Sequence, residues 1–450
     1  MEAIIVLFTT GLLSMFLGVF NKPKIVVLLA VLGLGFAAYV QHFPLNFLPE
    51  KYNILSFEGN GNAFVGLALF LTAMVILAGY SYFKADEGHI GDFVSLLLFS
   101  VSGAVILIGF KDMFMFFLGV EILSIPLYVL VGSRKKNVLS SESAIKYFFM
   151  GAFATSLMLF GIALIYGASG SFKLDEIYFG LQIHGYSPML YVGVIMLMAS
   201  ILFKVGAFPF HFWVADVYEG SPNIFMGYMA SVVKLVMSFA FVKLFTGVFE
   251  GISPFWTGIL AVSIVVSMFI GNLSALRQTK FKRLMAFSSI TNSAYVLMAV
   301  LSNDPSNIKA IYVFLLGYGA SVVAMVVISL MLDDDSDELA SYKGIGYKNP
   351  VVGIVATLAL LSMAGIPPLT GFIGKVMLFS SVYENYLWLV GLALLNSAIG
   401  VYFYVRMIMN ILSKDQTDVK KISGNWMQCA VLIICGVVIA GGWSIIACWH

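Results

Sequence analysis

Apolar residues run along this chain in stretches of bilayer length, separated by short polar breaks, and the pattern persists from end to end. A helix needs about twenty mostly apolar residues to cross hydrocarbon. On that measure spans are expected at 3–20, 24–40, 63–83, 92–110, 113–133, 143–167, 190–217, 222–247, 254–274, 286–302, 308–331, 350–384, 387–412 and 428–447. The fold class is therefore all-α, a polytopic membrane bundle of about 14 transmembrane helices. The first stretch follows Glu2 directly, with no basic leader and no small-residue cleavage signal, so it reads as a helix that stays in place. Two stretches, 190–217 and 350–384, exceed the length of a straight crossing and carry glycine and proline near their middles, which predicts two broken helices.

Composition agrees and narrows the function classes. The chain of 450 residues is 60% hydrophobic and 11% charged, with a mean hydropathy of +0.98, values outside the range of a soluble domain. A formal charge of +2, without a basic cluster interleaved with aromatics, excludes a nucleic-acid partner. Cys429, Cys435 and Cys448 share one apolar stretch and lack metal-ligand spacing, so no metal site, disulfide framework or redox centre is expected in this chain. Fifteen basic residues, among them Lys22, Arg134, Lys135, Lys136, Lys280, Lys282 and Arg283, fall on one side of the expected membrane, and only Lys51, Lys111, Lys173 and Lys309 on the other. The positive-inside rule places the larger set in the cytoplasm and both termini outside. The acidic run Asp333, Asp334, Asp335, Asp337 and Glu338 then forms a solvated cytoplasmic loop.

The remaining six basic residues, Lys146, Lys204, Lys234, Lys243, Lys375 and Arg406, lie inside expected helices. A charge at the bilayer centre costs about 2.5–3.5 kcal/mol on insertion scales, so several of them imply a polar interior or a task. At 1.5 Å per residue, Lys204, Lys234 and Lys375 lie roughly 13–21 Å from the ends of their spans, beyond easy snorkelling. A functional role is expected there in preference to a structural ion pair. Lys146, placed in the first turn of its helix, and Lys243, near the end of another, are within snorkelling reach, so Lys146 fits either reading. Arg406 stays charged and suits an internal anchor or field-setting role. The acid at mid-depth is Glu121, about 12 Å into its helix. A glutamate beside a lysine keeps the lysine protonated, and separating them favours release, so a Glu121–Lys204 pair that opens is a way to push a proton. Ser288, Ser289, Thr291 and Asn292 offer either water-carrying groups between the lysines or plain backbone bonding. His211 sits beside the first break, able to touch a proton path, while His42, His89, His184 and His450 read as interfacial.

The stretch KVGAFPFHFWVADVYEGSPN, from Lys204 to Asn223, resembles the signature of the antiporter-like membrane subunits of respiratory complex I. VEILSIPLYVLVG around Glu121, SESAIKYFFMGA around Lys146, KFKRLMAFSSI from Lys280, SMAGIPPLTGFIGK ending at Lys375 and SAIGVYFYVR ending at Arg406 extend the likeness from about residue 90 to about residue 410 in family order. EILSIPLYVL, the lysine at 375 and the absence of a long C-terminal extension look most like the subunit N branch. The resemblance implies N-terminal helices over 1–91, inverted five-helix repeats over 92–247 and 254–412, and a C-terminal helix over 428–447. It implies that Glu121, Lys204, Lys234 and Lys375 form a proton-translocating axis, with Lys146 tuning it. It also implies a bacterial inner-membrane location, neighbouring membrane subunits of complex I as partners, and NADH, FMN, iron–sulfur clusters and quinone held by those partners. Asn292 departs from the histidine common among relatives, so a titrating relay there is not expected, and Ile224 stands where relatives tend to carry a second proline. A subunit of a multi-subunit cation/proton antiporter, or of a membrane-bound hydrogenase or other donor-linked dehydrogenase, is the alternative, since these share the bundle.

Overall fold

A computed structural model describes residues 1–45, 54–57, 60–85, 89–302, 307–332, 337–414 and 422–442. Its helices, in order, are α1 (Glu2–Gly18), α2 (Pro23–His42), α3 (Gly61–Ala78), α4 (Tyr80–Ala85), α5 (Ile90–Gly109), α6 (Met113–Val131), α7 (Val138–Ser169) and α8 (Leu174–His184). Then come α9 (Pro188–Val205), α10 (Phe212–Gly220), α11 (Asn223–Tyr228), α12 (Lys234–Val242), α13 (Ser253–Ala275), α14 (Phe281–Leu301) and α15 (Ile308–Leu332). The last are α16 (Ile345–Lys348), α17 (Pro350–Ala364), α18 (Thr370–Ser380), α19 (Leu387–Ile411) and α20 (Trp426–Ala440). Among the described residues, eleven helical segments are long and apolar enough to cross a membrane, and shorter apolar helices stand at Glu2–Gly18, Pro350–Ala364, Thr370–Ser380 and Trp426–Ala440. The all-α reading holds.

Local chemistry sets the ends. Asp112 accepts the Met115 N–H at 2.7 Å and Ser187 accepts that of Leu190 at 3.3 Å, while Asn425 and Gln428 form a reciprocal capping box. Asn137 caps α7 through Leu139 N–H at 2.9 Å, so this helix starts at Val138, five residues before the expected span at 143–167. Lys146 therefore sits in the third turn instead of the first. Hydropathy missed this because Ser140, Ser141 and Glu142 are polar, whereas the cap that starts the helix depends on hydrogen bonding.

The segment from 223 to 248 is continuous but not uniform: π-helical turns at Met229–Val233 and Lys243–Val248 flank α12. Its stretch 224–242 is wholly buried, and α14 and α15 nearly so, whereas α2, α7 and α19 leave large apolar side chains exposed. The core is built from α5, α11, α12, α14 and α15, the helices with the largest buried shares. α1 packs on α2 and α5, and α20 joins α3, α15 and α17.

Candidate functional site

Both over-long spans are broken where glycine and proline predicted. α9 stops at Val205 with Gly206 at φ 74°, and α10 begins at Phe212; α17 stops at Ala364 with Gly365 at φ 85°, and α18 begins at Thr370. Each glycine takes the left-handed conformation that closes a helix. Aligning Gly206 with Gly365 also aligns Pro209 with Pro368, both in cis peptide bonds, and sets Lys204 against Met363 and Asp216 against Lys375. The two breaks thus carry their lysines on opposite halves.

All three mid-depth lysines are buried. Lys204, in the last turn of α9, donates to Ser124 Oγ at 2.8 Å and to Tyr128 Oη at 3.1 Å, both on α6. Glu121 lies one turn before Ser124, its Oε1 buried with no hydrogen bond from the protein, and no ion pair joins it to Lys204. Lys234 directly follows the first π turn and donates to the Ser289 carbonyl at 2.6 Å and Ser293 Oγ at 2.7 Å on α14. Ser293 Oγ in turn donates to the Val205 carbonyl at 2.9 Å, linking Lys234 to the end of the helix that carries Lys204. Lys375 turns back across the second break and donates to the carbonyls of Met363 and Ala364, both at 2.9 Å, and to Ser397 Oγ at 3.3 Å. These are end carbonyls of α17, which a helix leaves unsatisfied and which favour a cation.

Between Lys234 and Lys375, α14 presents polar pairs at i, i+4 spacing in three directions. Ser289 and Ser293 face Lys234. Ser288 shares a very short hydrogen bond with Tyr404, and Asn292 donates to the Ser288 carbonyl at 2.9 Å and to Tyr404 Oη at 3.4 Å. Thr291 donates to Asn272 Oδ1 at 3.0 Å, Asn272 Nδ2 donates to Asn396 Oδ1 at 2.7 Å, and Tyr295 Oη donates to the same Oδ1 at 3.0 Å. The Tyr295 ring lies 5.0 Å beneath Lys375 Nζ. Asn292 Oδ1, Asn396 Nδ2 and His211 Nδ1 are buried without a protein partner, the last beside the first break.

A charged cluster stands at the end of the bundle that carries Lys280. Lys146 pairs with Glu142 at 2.7 Å and Asp216 at 2.8 Å; Arg283 joins Asp216 at 3.3 Å to Glu219 at 2.7 Å; Lys280 meets Glu219 at 2.8 Å. Lys282 bonds the Glu219 and Ser221 carbonyls at the end of α10. The loop after α15 joins in: Asp337 accepts the Lys282 N–H at 2.9 Å on its carboxylate and the Phe281 N–H at 2.8 Å on its carbonyl. Asp337 is half-buried and thus not a merely solvated acid. Asp333, Asp334 and Asp335 lie outside the described residues.

Lys243 donates to the Phe110 carbonyl at 2.6 Å, at the end of α5, in keeping with its reach toward a helix end. One expected placement differs. Arg406 is exposed on α19, 3.4 Å from the Leu276 carbonyl beyond the end of α13, outside the buried row. Sequence reading also missed Ser124, Tyr128, Asp216, Glu219, Asn272, Tyr295, Asn396 and Tyr404. For Asp216 and Glu219 the signal was present, two acids three residues apart on one short helix inside the DVYEG stretch. For buried asparagines and hydroxyls there was none, because apolar helices carry many that only bond backbone.

The family described as NADH:quinone oxidoreductase/Mrp antiporter, TM, matches residues 111–400. NADH-quinone oxidoreductase subunit N of Cytophaga hutchinsonii is 37% identical over 426 residues, covering 93% of this chain and 92% of the relative. The same subunit of Flavobacterium johnsoniae is 32% identical over 454 residues, covering 98% of each. A chain of respiratory complex I from Thermus thermophilus superimposes with a TM-score of 0.83 at 28% identity, covering 97% of this chain and 96% of that one. A chain of the Mrp complex from Dietzia sp. DQ12-45-1b gives 0.80 at 17% identity over 98% and 94%, a likeness of fold alone. With the broken helices, the buried lysines and these relatives together, the chain belongs to the NADH:quinone oxidoreductase/Mrp antiporter family and, within it, to the antiporter-like membrane subunits most similar to subunit N of NADH-quinone oxidoreductase.

Proposed function

We propose that this chain translocates protons as a membrane subunit of an NADH-quinone oxidoreductase, along Glu121, Lys204, Lys234 and Lys375, driven by quinone reduction in partner subunits. One observation carries the reading: three buried lysines on separate helices are held by hydroxyl and carbonyl oxygens instead of carboxylates, and α14 connects their surroundings. A lysine locked to a buried carboxylate has little reason to release its proton, whereas one held by dipoles can load and unload as nearby charges move. The matched breaks at Gly206 and Gly365 support inverted repeats over 92–247 and 254–412, each a half-path. The basic end then faces the cytoplasm of a bacterial inner membrane, with both termini outside. There the Lys146–Asp216–Arg283–Glu219 cluster flanks the entrance, His211 stands further in beside the first break, and Lys146 tunes the axis through Asp216 on the half-helix beyond the break. NADH, FMN, iron–sulfur clusters and quinone belong to the partner subunits.

Lys204→Ala tests the proposal. In the assembled complex, reconstituted into vesicles, it should cut donor-driven proton uptake by about ten-fold or more, the scale of losing a group that moves the proton. Lys204→Arg should fare little better, because guanidinium stays charged. Wild-type pumping by Lys204→Ala at matched assembly would remove Lys204 from the path and the proposal with it.

A further inference from the structure

Glu121, Ser124 and Tyr128 occupy positions i, i+3 and i+7 of α6, one stripe along a single helix face. Lys204 is docked at one end of that stripe, donating to both hydroxyls with its amine 5.5 Å from the centre of the Tyr128 ring. At the other end Glu121 Oε1 is buried and unbonded. The hydroxyl end is built. The Tyr128 ring stands edge-on to Tyr147 at 4.8 Å and to Phe148 at 5.8 Å, and its oxygen lies against Gly151 of α7, where an added methyl would collide with it. Ser124 is buried at 1% exposure, so its hydroxyl meets the amine away from bulk water.

We infer that Ser124 and Tyr128 form a neutral rest site for Lys204, its near end at Ser124 about one helical turn or roughly 5 Å along α6 from Glu121, and that they position the lysine without carrying the proton themselves. The inference rests on the proposed proton path. Dipoles hold an ammonium without fixing its charge, whereas a carboxylate holds the ammonium and its proton together. The rest site therefore gives Lys204 a place in which to release its proton once it leaves Glu121. Without it, the lysine stays with Glu121 and release becomes slow.

The test uses the assembled complex in vesicles, with proton uptake per donor oxidised followed from about pH 6 to about pH 9. Ser124→Ala combined with Tyr128→Phe should lower pumping at neutral pH by about ten-fold, the size of losing a hydrogen bond to a charged group. It should also move the profile about one pH unit alkaline, because ten-fold tighter proton retention is undone by ten-fold fewer protons. Ser124→Thr with Tyr128 intact keeps both hydroxyls and should leave pumping and profile as in the wild type. Wild-type pumping and profile in the double variant would overturn the rest site, and so would reduced pumping with an unshifted profile, since that is what damaged packing gives. If Lys204→Ala is defective while the double variant is normal, the rest site alone falls; if Lys204→Ala pumps normally, the proton path itself falls.

Discussion

At the scale of single residues, Lys375 is the sharpest case, because its amine satisfies the free end of another helix. Lys375→Ala should abolish most pumping and also leave the Met363 and Ala364 carbonyls without their donor. Lys375→Glu keeps a titratable group of opposite charged sign and should retain more activity than the alanine variant. Comparing uptake and donor oxidation for both, after native electrophoresis has shown equal assembly, decides the point: wild-type rates in both would leave Lys375 a structural charge. Gly365 belongs to the same arrangement. Its φ of 85° suits glycine, and an added Cβ would come within 2.8 Å of Lys375 Cδ and 3.1 Å of its Nζ. Gly365→Ala should therefore displace the amine and cost about 1–2 kcal/mol in stability, read as a lower unfolding midpoint; an unchanged midpoint would show that the break tolerates a side chain. The lysines were legible in the sequence because depth makes a charge expensive wherever it stands. Their acceptors were not, since Ser124, Ser293 and Ser397 read no differently from the serines around them.

Elements were legible where a rule of length or chain geometry applies. Gly206 with Pro209, and Gly365 with Pro368, announced both breaks. The π turn before Lys234 announced nothing, because MASVV is ordinary helical sequence and the extra residue in the turn comes from packing within a wholly buried stretch. The loop after α15 is a second case of tertiary contact overriding composition. Its acids read as solvated, yet Asp337 seals the first turn of α14. Burial raises its carboxyl from the ordinary 3.8 to about 6, with Glu219 adding to the rise and Lys282 and Lys280 opposing it. A raised carboxyl favours the folded state while protonated, so this contribution is full below about pH 4 and is lost as pH rises through about 6. Asp337→Asn keeps an acceptor for the Lys282 N–H without a charge to bury. It should stabilise the protein at pH 7 by about 1–2 kcal/mol and flatten the pH dependence between about 4 and 6. Thermal unfolding of the solubilised complex across that range checks it, and parallel curves for both proteins would rule it out.

Over the whole molecule, burial sorts the helices by task. The innermost carry Lys234 and the polar pairs of α14, while Phe148, Phe149, Phe153 and Phe160 of α7 and Tyr402 and Met409 of α19 stand exposed, a surface for lipid or neighbouring subunits. If the neighbours are those of a respiratory dehydrogenase, an assembly purified through a tag on this chain should show flavin and iron–sulfur absorbance and oxidise NADH with quinone. An assembly without either chromophore would favour the ion exchanger instead. One detail of the breaks bears on the direction of such a machine. After α9 the carbonyls of Phe203 and Val205 are met by the Trp213 indole at 3.0 Å and the Ser293 hydroxyl at 2.9 Å; after α17 the carbonyls of Met363 and of Ala364, the counterpart of Val205, are met by an amine. Withdrawing one proton leaves the first elbow as it was and changes the bonding of the second. Under the proposed path, the two halves are then a fixed pivot and a charge-held pawl.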